Sequence, residues 1–282
     1  CPELSPDGLE SYADRDGIVT LSPVTGESPA ADRLIALFGD AFGTEWSAAK
    51  LAGLLAEVGF VGKTLDDWLR DGFFEQHCAL FHLRPFIWHV WDGRRDGFHA
   101  LVNYHRLAAP NGEGRRTLEK LLYTYLGDWI ERQRADQKAG VEGADARVAA
   151  AEQLKSELTN ILAGEPPYDL FVRWKPLVDQ GICWEPDVND GVRMNIRPFM
   201  NAKPLGAKAK GACILRVTPK IKWDKDRGKE PQRAKEDFPW FWGWDEKTID
   251  FTGRGAEPNG NRWNDLHYSR SFKEAALARS KK

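Results

Sequence analysis

A chain of 282 residues, 42% hydrophobic and 29% charged, with a formal net charge of −2, has the make-up of a globular protein of one large or two smaller domains. No apolar run reaches the ~20 residues that a membrane-spanning helix needs, no secretory signal opens the chain, and four scattered cysteines (Cys1, Cys78, Cys183, Cys213) do not make a disulfide framework. A cytoplasmic, non-membrane protein is expected, and a start at Cys1 instead of methionine is expected of a piece of a longer chain.

The near-neutral total hides a gradient. Residues 1–80 hold fourteen acids and five bases, whereas Lys203–Lys235 holds eleven bases and three acids. Such asymmetry points to an electrostatic footprint on one part of the molecule.

Residues 1–31 are rich in Pro, Gly, Ser and Asp and read as loop or frayed terminus. Helical spacing begins at Leu34, Ile35, Leu37 and Phe38. A second helix carries Ala48, Leu51, Leu54, Leu55 and Val58 on one face, with Thr44 as its expected cap. A third follows Thr64, with Asp67 at the capping-box position. The pattern then changes to alternation. Residues 84–105 read as a β-hairpin, because two β-rich runs flank Asp92–Gly97 with its paired Asp-Gly steps. Residues 116–138 are strongly helical, Gly140 and Gly143 interrupt, and a second helix runs to a stop at Gly164; an antiparallel helical hairpin is the simplest arrangement. Beyond Gly164 the chain turns irregular and aromatic, with alternating runs at 171–174, 191–197 and 212–217 that suggest short strands. The fold class expected is α+β, in three parts: 1–83 loop-rich and helical, 84–164 a β-hairpin and helical-hairpin spacer, and 165–282 a basic, Trp-rich region of short strands and loops.

That last region carries the strongest chemical signal. Seven of the twelve tryptophans lie between residues 165 and 268, among the dense cations. Rings interleaved with bases suit a surface that grips phosphate while stacking on or wedging between bases. The competing reading is an aromatic core with a solvated cationic rim. Within Lys220–Lys229 five cations surround Trp223, and Arg227 stands beside Gly228, whose lack of a side chain permits close approach to DNA. Lys220, Lys222, Lys225, Arg227, Lys229 and Arg233 are the candidate phosphate contacts, and Trp223 is the candidate wedge or stacking ring.

Other constellations are weaker. Glu165-Pro166-Pro167-Tyr168 echoes the motif by which amino-methyltransferases hold a flipped base, but Glu stands first, a helix precedes it, and no Gly-rich loop follows a strand upstream. His77, Cys78 and His82 form a local cluster without the distant ligand pair of a zinc site. Asp187, Asp245, Glu246 and Lys247 loosely supply the carboxylates and lysine of a magnesium-dependent nuclease. No catalytic, cofactor-binding or metal-binding residue is assigned.

With these segments in view, the chain resembles a known family. Arg84–Gly93 and Gly97–Leu107 look like the C-terminal half of PglX-type adenine-specific DNA methyltransferases of BREX phage-defence systems and related type IIG enzymes. Glu165–Asp169, Asn189–Met200 and Arg262–Tyr268 fit the same group, so the similarity spans about Leu65 to Tyr268. The resemblance implies N6-adenine methylation with S-adenosylmethionine, performed by an upstream catalytic domain. This chain has neither a methyl-donor loop nor Asn-Pro-Pro-Tyr, so the resemblance implies a target-recognition and DNA-positioning part that is inactive alone and binds no cofactor itself. Expected partners are double-stranded DNA, the upstream methyltransferase domain and other defence-system proteins, with no membrane. Two alternatives from other classes stay open: a protein-interaction module of a defence complex, using the acidic start and the helical pair, and a magnesium-dependent nuclease.

Overall fold

The computed structural model describes residue 12, residues 14–81, 85–109 and 112–164, and residues 168, 174, 199, 202, 214–217 and 219. Contacts divide the chain into two compact units. One is residues 1–163 with 199–219, and the other is residues 164–198 with 220–282. Nearly all of the described residues belong to the first, which is mixed α+β with a small antiparallel sheet.

The expected hairpin is present. Strand β2 (Ile87–Trp91) pairs with β3 (His99–Asn103), His89 lying opposite Leu101 and Trp91 opposite His99. A third strand, β1 (Ile18–Thr20), lies in the stretch that composition marks as loop, and pairs with the other edge of β3 to give the order β1-β3-β2. Its three residues are too short a run to stand out between the turns. Asp14 and Asp16 shape that entry through carboxylates that accept from the Asp16 and Ile18 amides.

Period-two alternation sorts the sheet into faces. Ile18, Thr20, Trp88, Val90, Ala100 and Val102 share one face and are all buried. There Trp88 packs 5.2 Å from Phe199 and 5.3 Å from Tyr104, and its indole N–H donates to the Pro85 carbonyl. The opposite face carries Val19, Ile87, His89, His99, Leu101 and Asn103. Val19 and Leu101 pack against a cluster formed by Leu21, Ala30, Leu55, Leu65 and Leu69.

Three helices supply Ala30, Leu55, Leu65 and Leu69 of that cluster: α1 (Ala30–Phe42), α2 (Ala48–Glu57) and α3 (Leu65–Asp71), followed by α4 (Phe73–Leu80). Thr44 falls in a 3-10 turn (Gly43–Glu45), so the cap of α2 is not Thr44 but Ser47, whose hydroxyl accepts from the Lys50 amide. Helix α3 has the full capping box, Thr64 and Asp67 each satisfying the other's backbone N–H.

After a short turn of helix α5 (Tyr104–Leu107), the long helical run starts with α6 (Glu113–Glu119), passes through a π-helical stretch at Lys120–Tyr125 and continues as α7 (Leu126–Lys138). Helix α8 (Ala144–Ala163) returns antiparallel, as pairs Arg134–Glu152, Gln133–Arg147 and Gln137–Asp145 show. The π stretch sets both Lys120 and Tyr125 on Asp16, the Tyr125 hydroxyl donating at 2.8 Å. Burial works against the charged form of Asp16, but hydrogen bonds from Asp14, Lys120, Tyr125 and the Ile18 amide outweigh it and hold the carboxyl down at about 2. The helical pair is thereby tied to the loop that leads into β1.

Candidate functional site

The candidate DNA-binding residues Lys220, Lys222, Trp223, Lys225, Arg227, Lys229 and Arg233 lie outside the described residues. So do Asp187, Asp245, Glu246 and Lys247, and the Glu-Pro-Pro that precedes Tyr168; Tyr168 itself is buried. Of the basic stretch Lys203–Lys235, residues 214–217 and 219 are described, and Ile214–Arg216 is firmly anchored. Leu215 forms an antiparallel bridge with Val90. Around it the Trp91 amide donates to Ile214 O at 3.0 Å and the Arg216 amide to His89 O at 2.9 Å, which satisfies the edge of β2. Ile214 and Leu215 are fully buried.

Arg216 completes the anchor. Its guanidinium donates to the Arg70 carbonyl and to Asp71, each at 3.0 Å, and lies over the Trp91 ring at 4.7 Å. The Trp91 indole N–H donates to Leu215 O. Asp71 also receives Arg95, which reaches Asp67 as well, so one patch of helix α3 collects two arginines from distant parts of the chain. Burial opposes the Asp71 charge, but the bonds to Arg95 and Arg216 hold its carboxyl below the ordinary range.

A buried polar cluster lies at the hairpin. His89 and His99 are diagonal neighbours on one face of the sheet, and their Nε2 and Nδ1 atoms are 2.9 Å apart. Because His99 Nε2 meets the Arg94 carbonyl at 2.8 Å, it must carry the proton; His99 Nδ1 then accepts from His89 Nε2–H. His89 Nδ1 is left as an unprotonated nitrogen, buried and without a partner among the described residues. Burial drives both imidazoles toward neutrality, with Arg70 and Arg216 adding to the effect; His89 is pushed well below its ordinary value and His99 down to about 3. Asp92 closes the loop beside them. Its carboxylate accepts from the Arg94 and Phe98 amides, yet burial prevails and raises it to about 7.

The histidine and cysteine of helix α4 have structural roles. His77 Nε2 accepts from the Phe86 and Ile87 amides at 3.2 and 3.0 Å, which starts strand β2. Cys78 is buried, and loss of solvation pushes its thiol up to about 12, leaving it unreactive. His82 lies outside the described residues. No three metal-ligating side chains come together among the described residues.

One sizeable cleft opens on the helix-covered face of the sheet, with a volume of about 420 Å³. Val19, Ile87 and Leu101 form its floor. Leu34, Leu37 and Phe38 of α1 stand on one side and Trp68, Leu69 and Phe73 on the other. Tyr12, Asp14, Arg33 and Asn103 supply its polar groups. It exists because α1, despite its apolar stripe, buries only Ala30.

No family model matches the chain, and a search of curated proteins finds no match.

The sequence reading did not single out the anchor, the histidine pair or the cleft. The alternation at 212–217 did mark the anchoring segment as extended. The histidines were legible in part, since a hairpin turning at Asp92–Gly97 brings residues 89 and 99 into diagonal range. The partners of Arg216 were not, because Asp71 belongs to a helix 145 residues away in sequence.

Proposed function

We propose that this chain is a DNA target-recognition and positioning part of an N6-adenine DNA methyltransferase from a phage-defence or restriction–modification system, working in the cytoplasm. The observation that carries the reading is the run of eleven bases against three acids between Lys203 and Lys235, interleaved with tryptophan. The family resemblance over about Leu65–Tyr268 supplies the reaction. In this division of labour the Lys and Arg side chains hold phosphates and set register, while a few polar or aromatic groups read base edges. A separate catalytic domain binds S-adenosylmethionine, extrudes the adenine and transfers the methyl group. Within that run Arg216 is committed to Asp71, and the anchor at Ile214–Arg216 supports the reading, because the bases that follow it need a fixed point in the chain if they are to set register. That no helix among the described residues is long and apolar enough to cross a membrane is compatible with it.

Gel shift with duplex DNA tests it. Binding that weakens steeply as salt rises supports the reading; no binding at low salt counts against it.

A second reading is favoured by one observation. Val61 and Leu80, in the acidic part of the chain, are 75% and 72% exposed. Exposed apolar side chains in an acidic stretch of sequence suit a protein partner, such as the methyltransferase domain or another defence-complex subunit. Its signature is an association that salt barely changes. Plasmid cleavage with magnesium, abolished by Asp187→Ala, would instead promote a nuclease.

A further inference from the structure

We propose that the cleft between α1 and the sheet is a binding site for a small flat aromatic cation, a ring bearing a protonated amine. This assignment is independent of the DNA reading.

Size comes first. At about 420 Å³ the cleft lies within the range of small-molecule sites, and it is apolar with few polar groups, as such sites are. The face of α1 supports this. A thirteen-residue helix that buries only Ala30 leaves Leu34, Leu37 and Phe38 short of the cover that their apolar area favours.

The walls select a ring. Phe38, Trp68 and Phe73 line the space, and Trp68 and Phe73 already meet edge-to-face at 5.4 Å. The one polar atom of Trp68 is committed elsewhere, its indole N–H donating to Gln76 at 2.9 Å. What these side chains offer an occupant is therefore π surface, which suits an aromatic ring and attracts a cation.

The rim selects the charge. Arg33 is the sole base lining the cleft among the described residues, and it is consumed twice, by Asp14 at 3.0 Å and Glu27 at 2.6 Å. Its Nε also donates to the Ser28 carbonyl. Asp32 lines the adjoining hollow, and Asp40 holds the hydroxyl of Tyr12. Asp14 in the cleft and Asp32 in the adjoining hollow outnumber that one guanidinium, which leaves a net negative rim over an apolar floor. A cationic nitrogen at Asp14 with its ring on Leu101 and Phe38 answers both features.

The experiment uses the full chain with methyl-labelled leucine and valine and three indole probes of matched shape: tryptamine (cation), 3-propylindole (neutral) and indole-3-propionate (anion). The expected result is saturable shifts confined to Val19, Leu34, Leu37, Leu69 and Leu101. Tryptamine should bind about tenfold tighter than 3-propylindole, since a charged hydrogen bond is worth that much, and the anion should bind most weakly. Asp14→Asn should bring tryptamine down to the level of 3-propylindole. Leu34→Trp, which fills the cleft, should abolish both, while Ile35→Ser on the exposed side of the same helix should change neither. No shift at those methyls with any probe, equal affinity for all three, or tightest binding by the anion would each overturn the assignment. Because Asp14→Asn and the wild-type charge series do not depend on Leu34→Trp folding, misfolding of that variant cannot rescue the proposal.

Discussion

Arg216 meets Asp71 at 3.0 Å across 145 residues of sequence. The contact joins one base of the 203–235 run to helix α3, and it belongs to a set that includes the Arg70 carbonyl and the face of Trp91. Both side chains are partly exposed, so the ion pair alone contributes little. The planar fork and the ring contact add to it.

Arg216→Ala should therefore destabilise the chain by about 2 kcal/mol in denaturant unfolding, more than a surface pair alone accounts for. Arg216→Lys keeps the charge but not the fork, and should recover at most about half of that. Hydrogen exchange gives the local reading. The amides of Trp91 and of residue 216 bond to Ile214 and His89, and both should exchange faster in the alanine variant.

The His89–His99 pair sets a pH dependence with a definite sign. Both folded-state values lie below the ordinary 6.5, so below that pH the unfolded chain binds more protons and stability falls as pH drops, for His99 down to about 3. Asp92 works the other way. Its folded value of about 7 exceeds the ordinary 3.8, so its contribution declines as pH rises from about 4 to 7. Two groups oppose one, and stability should fall from pH 6.5 to 4. His89→Gln, which keeps a donor for His99, should make that fall shallower in chemical denaturation measured at both pH values. An unchanged slope would show that the pair is not what titrates.

Gly97 has no room for a side chain. A Cβ there would overlap the Asp92 carboxylate, which holds the Phe98 amide at 2.8 Å. Gly97→Ala should cost about 2–3 kcal/mol, because it both forces a shift and unpairs a buried polar group. Gly26→Ala is the control: a Cβ there meets nothing, although its backbone lies in the left-handed region at φ 77°, so a smaller loss of about 1 kcal/mol is expected.

Much of the fold was legible because local rules agreed with the global structure. The Thr64–Asp67 box, the Asp-Gly turn of the hairpin and the Gly140 break between helices each depend on residues close in sequence. Strand β1 was not legible, since three residues between turns give no period and exist as a strand only through pairing with β3. Ser47 displaced Thr44 as a cap because a 3-10 turn occupies the intervening residues. The candidate site divides in the same way. Charge and aromatic density mark residues 203–235 in the sequence, whereas the anchoring of 214–216 within them and the cleft on α1 arise from contacts between distant segments.

The central claim is that the basic run grips DNA phosphate. Its most direct test is the affinity of duplex DNA across a salt series, for the wild-type chain and for a variant with Lys220, Lys222 and Arg227 changed to alanine. The account requires steep salt dependence in the wild type, weaker binding of the variant to many sequences, a log–log salt slope smaller by about 2.7, and an unchanged melting temperature. Equal affinity of the two proteins at low salt would contradict it.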